Sequence, residues 1–187
     1  MYTASDLHKG LKIEVDGQPY AITDFNFVKP GKGQAVYTCK LKNMVTGATL
    51  CRNYRSDDKI DEPQLEERKI NFSYAEGDTL VFMDDSFEQV RIPAAAMGEK
   101  RLFLKEDMPV EVLFHNGLPI DFALPFFVEK EVLQTDPGFR GDTATNVLKP
   151  ATVEGGYQVQ VPLFVNQGDS VRIDTRTGKY VDRVAKR

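Results

Sequence analysis

Two histidines, two cysteines and no tryptophan in 187 residues leave little for metal, redox or nucleophilic chemistry. Eleven residues separate Cys39 from Cys51, a gap that matches no zinc or thiol-redox spacing. The pair reads as two reduced strand cysteines of a cytosolic protein. No G-x-S-x-G elbow, H-E-x-x-H pair or Walker-type G-x-x-x-x-G-K-[ST] loop occurs. No enzyme activity, metal or cofactor is therefore expected. His115, beside Asn116-Gly117, reads as a solvated turn residue rather than a catalytic base. The cluster Asp84, Asp85 and Glu88 reads as a solvated acidic face. No apolar run reaches the roughly 18 residues of a membrane span, and "MYTASDLHKG" lacks the apolar core of a signal peptide. These absences predict a cytoplasmic chain with no membrane partner.

Helical periodicity is also scarce; short alternating runs punctuated by turn residues dominate, which predicts an all-β chain. Hairpins are expected to turn at Asp16-Gly17, Thr46-Gly47, Asp84-Asp85, Asn116-Gly117 and Thr177-Gly178. A further strand is expected in "YQVQVPLFV", and one helix in "PAAAMGEKRLFL". Alternation stops in the charged stretch "RSDDKIDEPQLEERK" around Pro63 and again at Pro125 in "ALPFFVEKEV". These breaks predict three segments, 1–63, 64–127 and 128–187. Segments of about 60 residues bury only about 60% of their unfolded surface. Small closed β-barrels are the usual answer, because closure removes strand edges.

Net charge is 24 minus 28, or −4, which argues against a general nucleic-acid binder. The excess is confined to the middle segment, with six basic and twelve acidic residues. Residues 1–56 carry eight basic against four acidic groups, so positive potential is expected at the N-terminal end. Within that basic part lies "FVKPGKGQAVY", with Lys32 between Gly31 and Gly33. Apolar residues flank it on both sides, so "KPGKGQ" is predicted as a loop tip between strands. Pro30 fixes φ, Gly31 allows a type II turn and Gly33 frees the backbone. Lys32 must then project into solvent. One reading is a solvated hairpin tip. The other is a lysine offered to a deep, narrow anionic target or to a modifying enzyme, with Lys29, Lys40 and Lys42 as its basic surround.

The last third carries a denser pattern. "TDPGFRGDTATN" precedes "KPATVEGGYQVQVPLFVNQGD", in which Lys149, Ala151, Gly156, Val159, Val161, Pro162, Val165 and Gly168 stand at the spacing of a family signature. With the "DPGFRGDTA" and "VKPGKGQA" loops in the same order, essentially the whole chain resembles the elongation factor P family. The clean "PGKG" loop favours that family over its elongation-factor-P-like paralogues. The resemblance implies a KOW/SH3-like barrel followed by two OB-folds, in an L-shaped arrangement that mimics transfer RNA. It implies a monomeric translation elongation factor that binds the ribosome between the P and E sites, touches ribosomal proteins, and relieves stalling at consecutive prolines. By the same resemblance, Lys32 reaches the CCA end of P-site peptidyl-tRNA, supported by Lys29, Pro30, Gly31, Gly33 and Gln34. A Lys32-modifying enzyme is implied, with a covalent extension such as β-lysylation; lysine here argues against the rhamnosylation of arginine-bearing members. Gly141, Asp142 and Thr143 resemble a loop near the E-site codon, and Tyr180 and Arg183 positions near the P-site anticodon stem. Tyr180 reads equally well as a hairpin core aromatic.

A competing class is an OB-fold RNA-binding or chaperone protein with no ribosomal role. Such a protein displays aromatics on a basic strand face. Here Phe72, Tyr74, Phe82 and Phe87 sit among acidic residues, which disfavours single-strand binding by the middle segment.

Overall fold

The computed structural model describes residues 1–137 and 147–185. The first strands are β1 (Tyr2–Thr3), β2 (Lys12–Val15), β3 (Gln18–Val28), β4 (Val36–Asn43), β5 (Thr49–Arg55) and β6 (Lys59–Ile60). Strands β2-β3-β4-β5 form one antiparallel sheet, and β1 pairs with β6. The next group is β7 (Glu66–Glu76), β8 (Thr79–Met83), β9 (Gln89–Pro93), α1 (Ala94–Met97), β10 (Pro109–His115) and β11 (Leu118–Ala123), with sheet order β11-β10-β7-β8-β9. The last is β12 (Phe127–Thr135), β13 (Leu148–Val153), β14 (Gln158–Pro162), β15 (Ser170–Asp174) and β16 (Lys179–Val184), in the order β14-β13-β12-β15-β16.

The chain divides into two compact units, Met1–Glu67 with Leu113–Asp121, and Arg68–Val112 with Phe122–Arg187. The core of the first gathers Ile13, Ile22, Cys39 and Leu41, all at most 1% exposed, with Tyr54 and Ile60. Both cysteines are free, Cys39 inside and Cys51 on the surface. In the second unit β8 is buried on both faces: Leu80, Val81 and Phe82 lie in succession inside.

The expected turns formed where the chain had the residues for them. Asp16 and Gly17 have φ of 52° and 75°, and Asn116 and Gly117 have 50° and 76°. Two successive left-handed residues make the tight primed turn whose twist suits a hairpin. Three expectations need correction. The helix in "PAAAMGEKRLFL" is one turn, Ala94–Met97, followed by a 3-10 segment, Gly98–Phe103. Gly98, at φ 56° and ψ −135°, lies outside helical geometry and stops the α-helix. The charged stretch around Pro63, expected to break the strand alternation, contains β6 and opens β7 at Glu66. Asp84 is no solvated acid: its carboxylate accepts from the Ser86 and Glu88 amides and from Arg68 at 3.0 Å, closing the β8–β9 turn. Asp85 and Glu88 are exposed.

At the β15–β16 turn, Gly178 has φ 72°, and a Cβ there would sit 2.3 Å from the Tyr157 hydroxyl oxygen. That hydroxyl donates to the Gly178 carbonyl at 2.7 Å, while its ring packs on Phe103 at 4.7 Å. Gly178→Ala should therefore cost about 1–3 kcal/mol, from left-handed strain plus the displaced tyrosine. Thermal unfolding should register this as a fall of several degrees; an unchanged midpoint would contradict the packing at this turn.

Candidate functional site

The β3–β4 pairing runs without a break from Asp24↔Lys40 to Val28↔Val36, so residues 29–35 form the connecting loop. Aromatic rings brace its two arms. Phe27 and Tyr37 are opposite each other with centroids 4.8 Å apart, and Phe25 lies 6.1 Å from Tyr37. Tyr37 is opposite the buried Tyr54 on β5. Such cross-strand aromatic contacts stiffen a hairpin by fractions of a kcal/mol each. The base is rigid and the tip is bare: Lys29, Pro30, Gly31, Lys32, Gly33 and Gln34 are all exposed. Among the described residues no ion pair or hydrogen bond holds the Lys32 ammonium.

The loop's bend differs from the expected one. Gly31 is not in the left-handed region, as a type II turn at Pro30-Gly31 would require; the positive φ, 140°, is at Gly33. A Cβ on Gly33 would stand 3.6 Å from Pro30 Cγ, so the two residues close the loop across Lys32. Strand alternation sets the charge around it. Val36, Lys40 and Lys42 share one face of β4, with Arg55 opposite Val36 on β5. Lys40, Lys42 and Arg55 are exposed, as is Lys29 at the start of the loop. The fold thus presents Lys32, unpaired among the described residues, beyond a stiff, basic-faced hairpin. That arrangement can reach an anionic target but supplies no acid, base or nucleophile.

The C-terminal candidates fare differently. Gly141, Asp142 and Thr143 lie outside the described residues. Tyr180 is opposite Ile173 in the β15–β16 pair and is half-buried; burial raises its hydroxyl pKa, helped by Asp182. Arg183 is exposed on the same strand, with Asp169 at 3.6 Å and the Phe164 ring at 5.1 Å.

Two buried lysines were not singled out for what they do. Lys149 is 5% exposed and donates to the Asp136 carbonyl. Lys130, 3% exposed, donates to the Leu104 carbonyl at 2.5 Å, and burial lowers its pKa. Alternation could have found Lys149, since Lys149, Ala151 and Val153 are the inward positions of β13. His115 is another correction: it is 7% exposed, at the end of β10, and lines a cavity with Gly17 and residues 61–64. Among the described residues no group of three His, Cys, Asp or Glu could hold a metal ion, and no helix is long and apolar enough to cross a membrane.

Three family models match in chain order: "Elongation factor P (EF-P) KOW-like domain" over residues 3–60, "Elongation factor P (EF-P) OB domain" over 65–122, and "Elongation factor P, C-terminal" over 128–183. The chain is 52% identical to elongation factor P of Desulfotalea psychrophila, over 98% of this chain and 99% of that protein. It is 48% identical to the Desulfosudis oleivorans elongation factor P over the full length of both. Among solved structures, a translation initiation factor 5A from Methanococcus jannaschii shares the fold, at 22% identity and a TM-score of 0.54, over 66% of this chain and 92% of that one.

Proposed function

The chain belongs to the elongation factor P family of translation factors, with its KOW-like and OB domains, and from that membership we propose that it binds the ribosome between the P and E sites and relieves stalling at consecutive prolines. The observation that carries this reading is the unpaired Lys32 at the exposed tip of the β3–β4 hairpin. In the proposal the segment 1–63 presents that lysine to the CCA end of peptidyl-tRNA, and the segments 64–127 and 128–187 hold the factor in place. Tyr180 and Arg183 then lie toward the anticodon stem, and Gly141, Asp142 and Thr143 toward the E-site codon. A modifying enzyme extends Lys32, by a β-lysyl or other group, and lengthens its reach. The protein works as a monomer in the cytoplasm.

Proline is a rigid and poor nucleophile, so its reacting ends sit badly. Positioning alone can correct that. A tenfold gain in rate needs only about 1.4 kcal/mol, and a few charge-assisted contacts from one cation to RNA phosphates reach that size. The alternative, a free RNA-binding protein, makes a different prediction in a sedimentation assay. The factor should co-pellet with ribosomes holding P-site tRNA and stay in the supernatant with ribosomes whose P and E sites are blocked. Equal, salt-sensitive association with any free single-stranded RNA would favour the alternative.

A further inference from the structure

The second unit joins parts of two segments expected from the sequence, 64–127 and 128–187. After the 3-10 segment Gly98–Phe103, Leu104 and Lys105 meet the start of β12, where two hydrogen bonds run in opposite directions. The Lys105 ammonium donates to the Glu129 carbonyl at 3.2 Å, and the Lys130 ammonium donates to the Leu104 carbonyl at 2.5 Å. Each pair of neighbouring residues thus supplies one cation and one carbonyl. Strand alternation puts Lys130 there: Val128, Lys130 and Val132 are the buried positions at the start of β12. An ammonium in an apolar row is costly unless it is bonded. Among the described residues no carboxylate forms an ion pair with it; Glu154 favours its charge from further off and Lys105 opposes it. The Leu104 carbonyl has the matching need, since Leu104 is 7% exposed and its oxygen accepts from Lys130. Other contacts close the same seam. The Phe103 and Tyr157 rings pack across it at 4.7 Å. A Cβ at Gly155, in the β13–β14 turn, would stand 3.2 Å from the Leu102 carbonyl oxygen and 3.6 Å from the Lys130 ammonium nitrogen. Thr175 donates through its hydroxyl to the Pro125 carbonyl at 2.6 Å and through its amide to the Phe126 carbonyl at 2.8 Å.

We propose that this reciprocal lysine–carbonyl clasp locks the C-terminal segment to the middle one at a single orientation, with Lys130 as its central residue. Docking takes the Leu104 carbonyl out of water, and only a donor restores what it loses. A hydrogen bond does so within a narrow range of distance and angle. Apolar burial, such as that of Phe103 against Tyr157, is non-directional and holds the two segments together without fixing their angle. The clasp uses side-chain donors, so its removal leaves the pairing of β12 with β13 and β15 in place. The proposal concerns a seam inside the second unit and does not depend on the function proposed for Lys32.

The test uses the full chain in a dilute aligning medium. Residual dipolar couplings of backbone amides are compared between residues 68–112 and residues 147–185. In the parent protein one alignment tensor should fit both sets, and the Lys130 ammonium protons should be protected from exchange with water. In the Lys105→Ala/Lys130→Met double variant each set should still fit its own fold, but the two should need different tensors. Lys105→Ala alone changes an exposed side chain, so it should keep the parent's thermal midpoint while the common fit worsens. Two tensors in the parent, rapid exchange at the Lys130 ammonium, or a common tensor retained by the double variant would each overturn the proposal. If the double variant unfolds the C-terminal segment, Lys105→Ala decides: a worsened common fit at an unchanged midpoint supports the clasp, and an unchanged common fit overturns it.

Discussion

Lys32→Ala is expected to abolish the protein's effect on a message encoding consecutive prolines while leaving its folding intact. The side chain is exposed and, among the described residues, has no partner to lose, so the stability change should stay within about 0.5 kcal/mol, as for other surface positions away from special features. The functional loss should be near complete because no other group at the tip can substitute. Lys29 is exposed at the base of the same loop, but it is not flanked by Gly31 and Gly33. Proline-message yield, thermal unfolding and ribosome co-sedimentation should be measured on the same preparation. An unfolded variant would contradict the loop-tip geometry. A folded variant with full activity would show that the lysine does no work.

Phe82→Ala should produce the largest loss of stability in the chain, about 3–5 kcal/mol for a deleted buried phenylalanine ring. Phe82 is fully buried on β8, opposite Phe72, with the two rings edge-on at 5.5 Å and 69°. Its neighbours Leu80, Val81 and Ile92 are also at most 5% exposed, so nothing polar can collapse into the space. Because whole proteins are stable by only about 5–15 kcal/mol, the denaturant midpoint should fall sharply at an unchanged slope. A loss below about 1 kcal/mol would mean that β8 is not the packed centre of its sheet. This variant also separates two kinds of failure. It should lose activity through unfolding, with a temperature-dependent onset, whereas Lys32→Ala should lose activity at every temperature.

The parts of the fold that could be read directly are those governed by local chemistry. Asp16-Gly17 and Asn116-Gly117 formed the turns their backbone freedom permits, and the alternation around them set the strands. The C-terminal signature turns out to be mostly architecture. Ala151, Val159, Val161 and Val165 are at most 4% exposed, and Lys149 is tied to a backbone carbonyl. Lys149 is opposite Val161 and Ala151 opposite Val159, so four of the signature residues form the buried face of the β13–β14 pair.

What could not be read depends on distant partners. Nothing near His115 in sequence reveals that residues 61–64 line a cavity with it. Asp84 looks like one of several acids until Arg68, sixteen residues earlier, is placed beside it. The exposed Lys32 tip was legible because its isolation is local: Pro30 and two glycines leave it nothing to bury against. Its bend was not, because both Gly31 and Gly33 permit a positive φ and the one that takes it is Gly33.

The most direct test of the account is full-length reporter yield in a reconstituted translation system, on a message encoding three consecutive prolines, with protein purified from its native cells and the mass at Lys32 recorded. The account predicts a rise in yield confined to the proline message and absent with Lys32→Ala. Stalling that persists with the native, intact protein, or a rise that is the same on messages without proline runs, would contradict it.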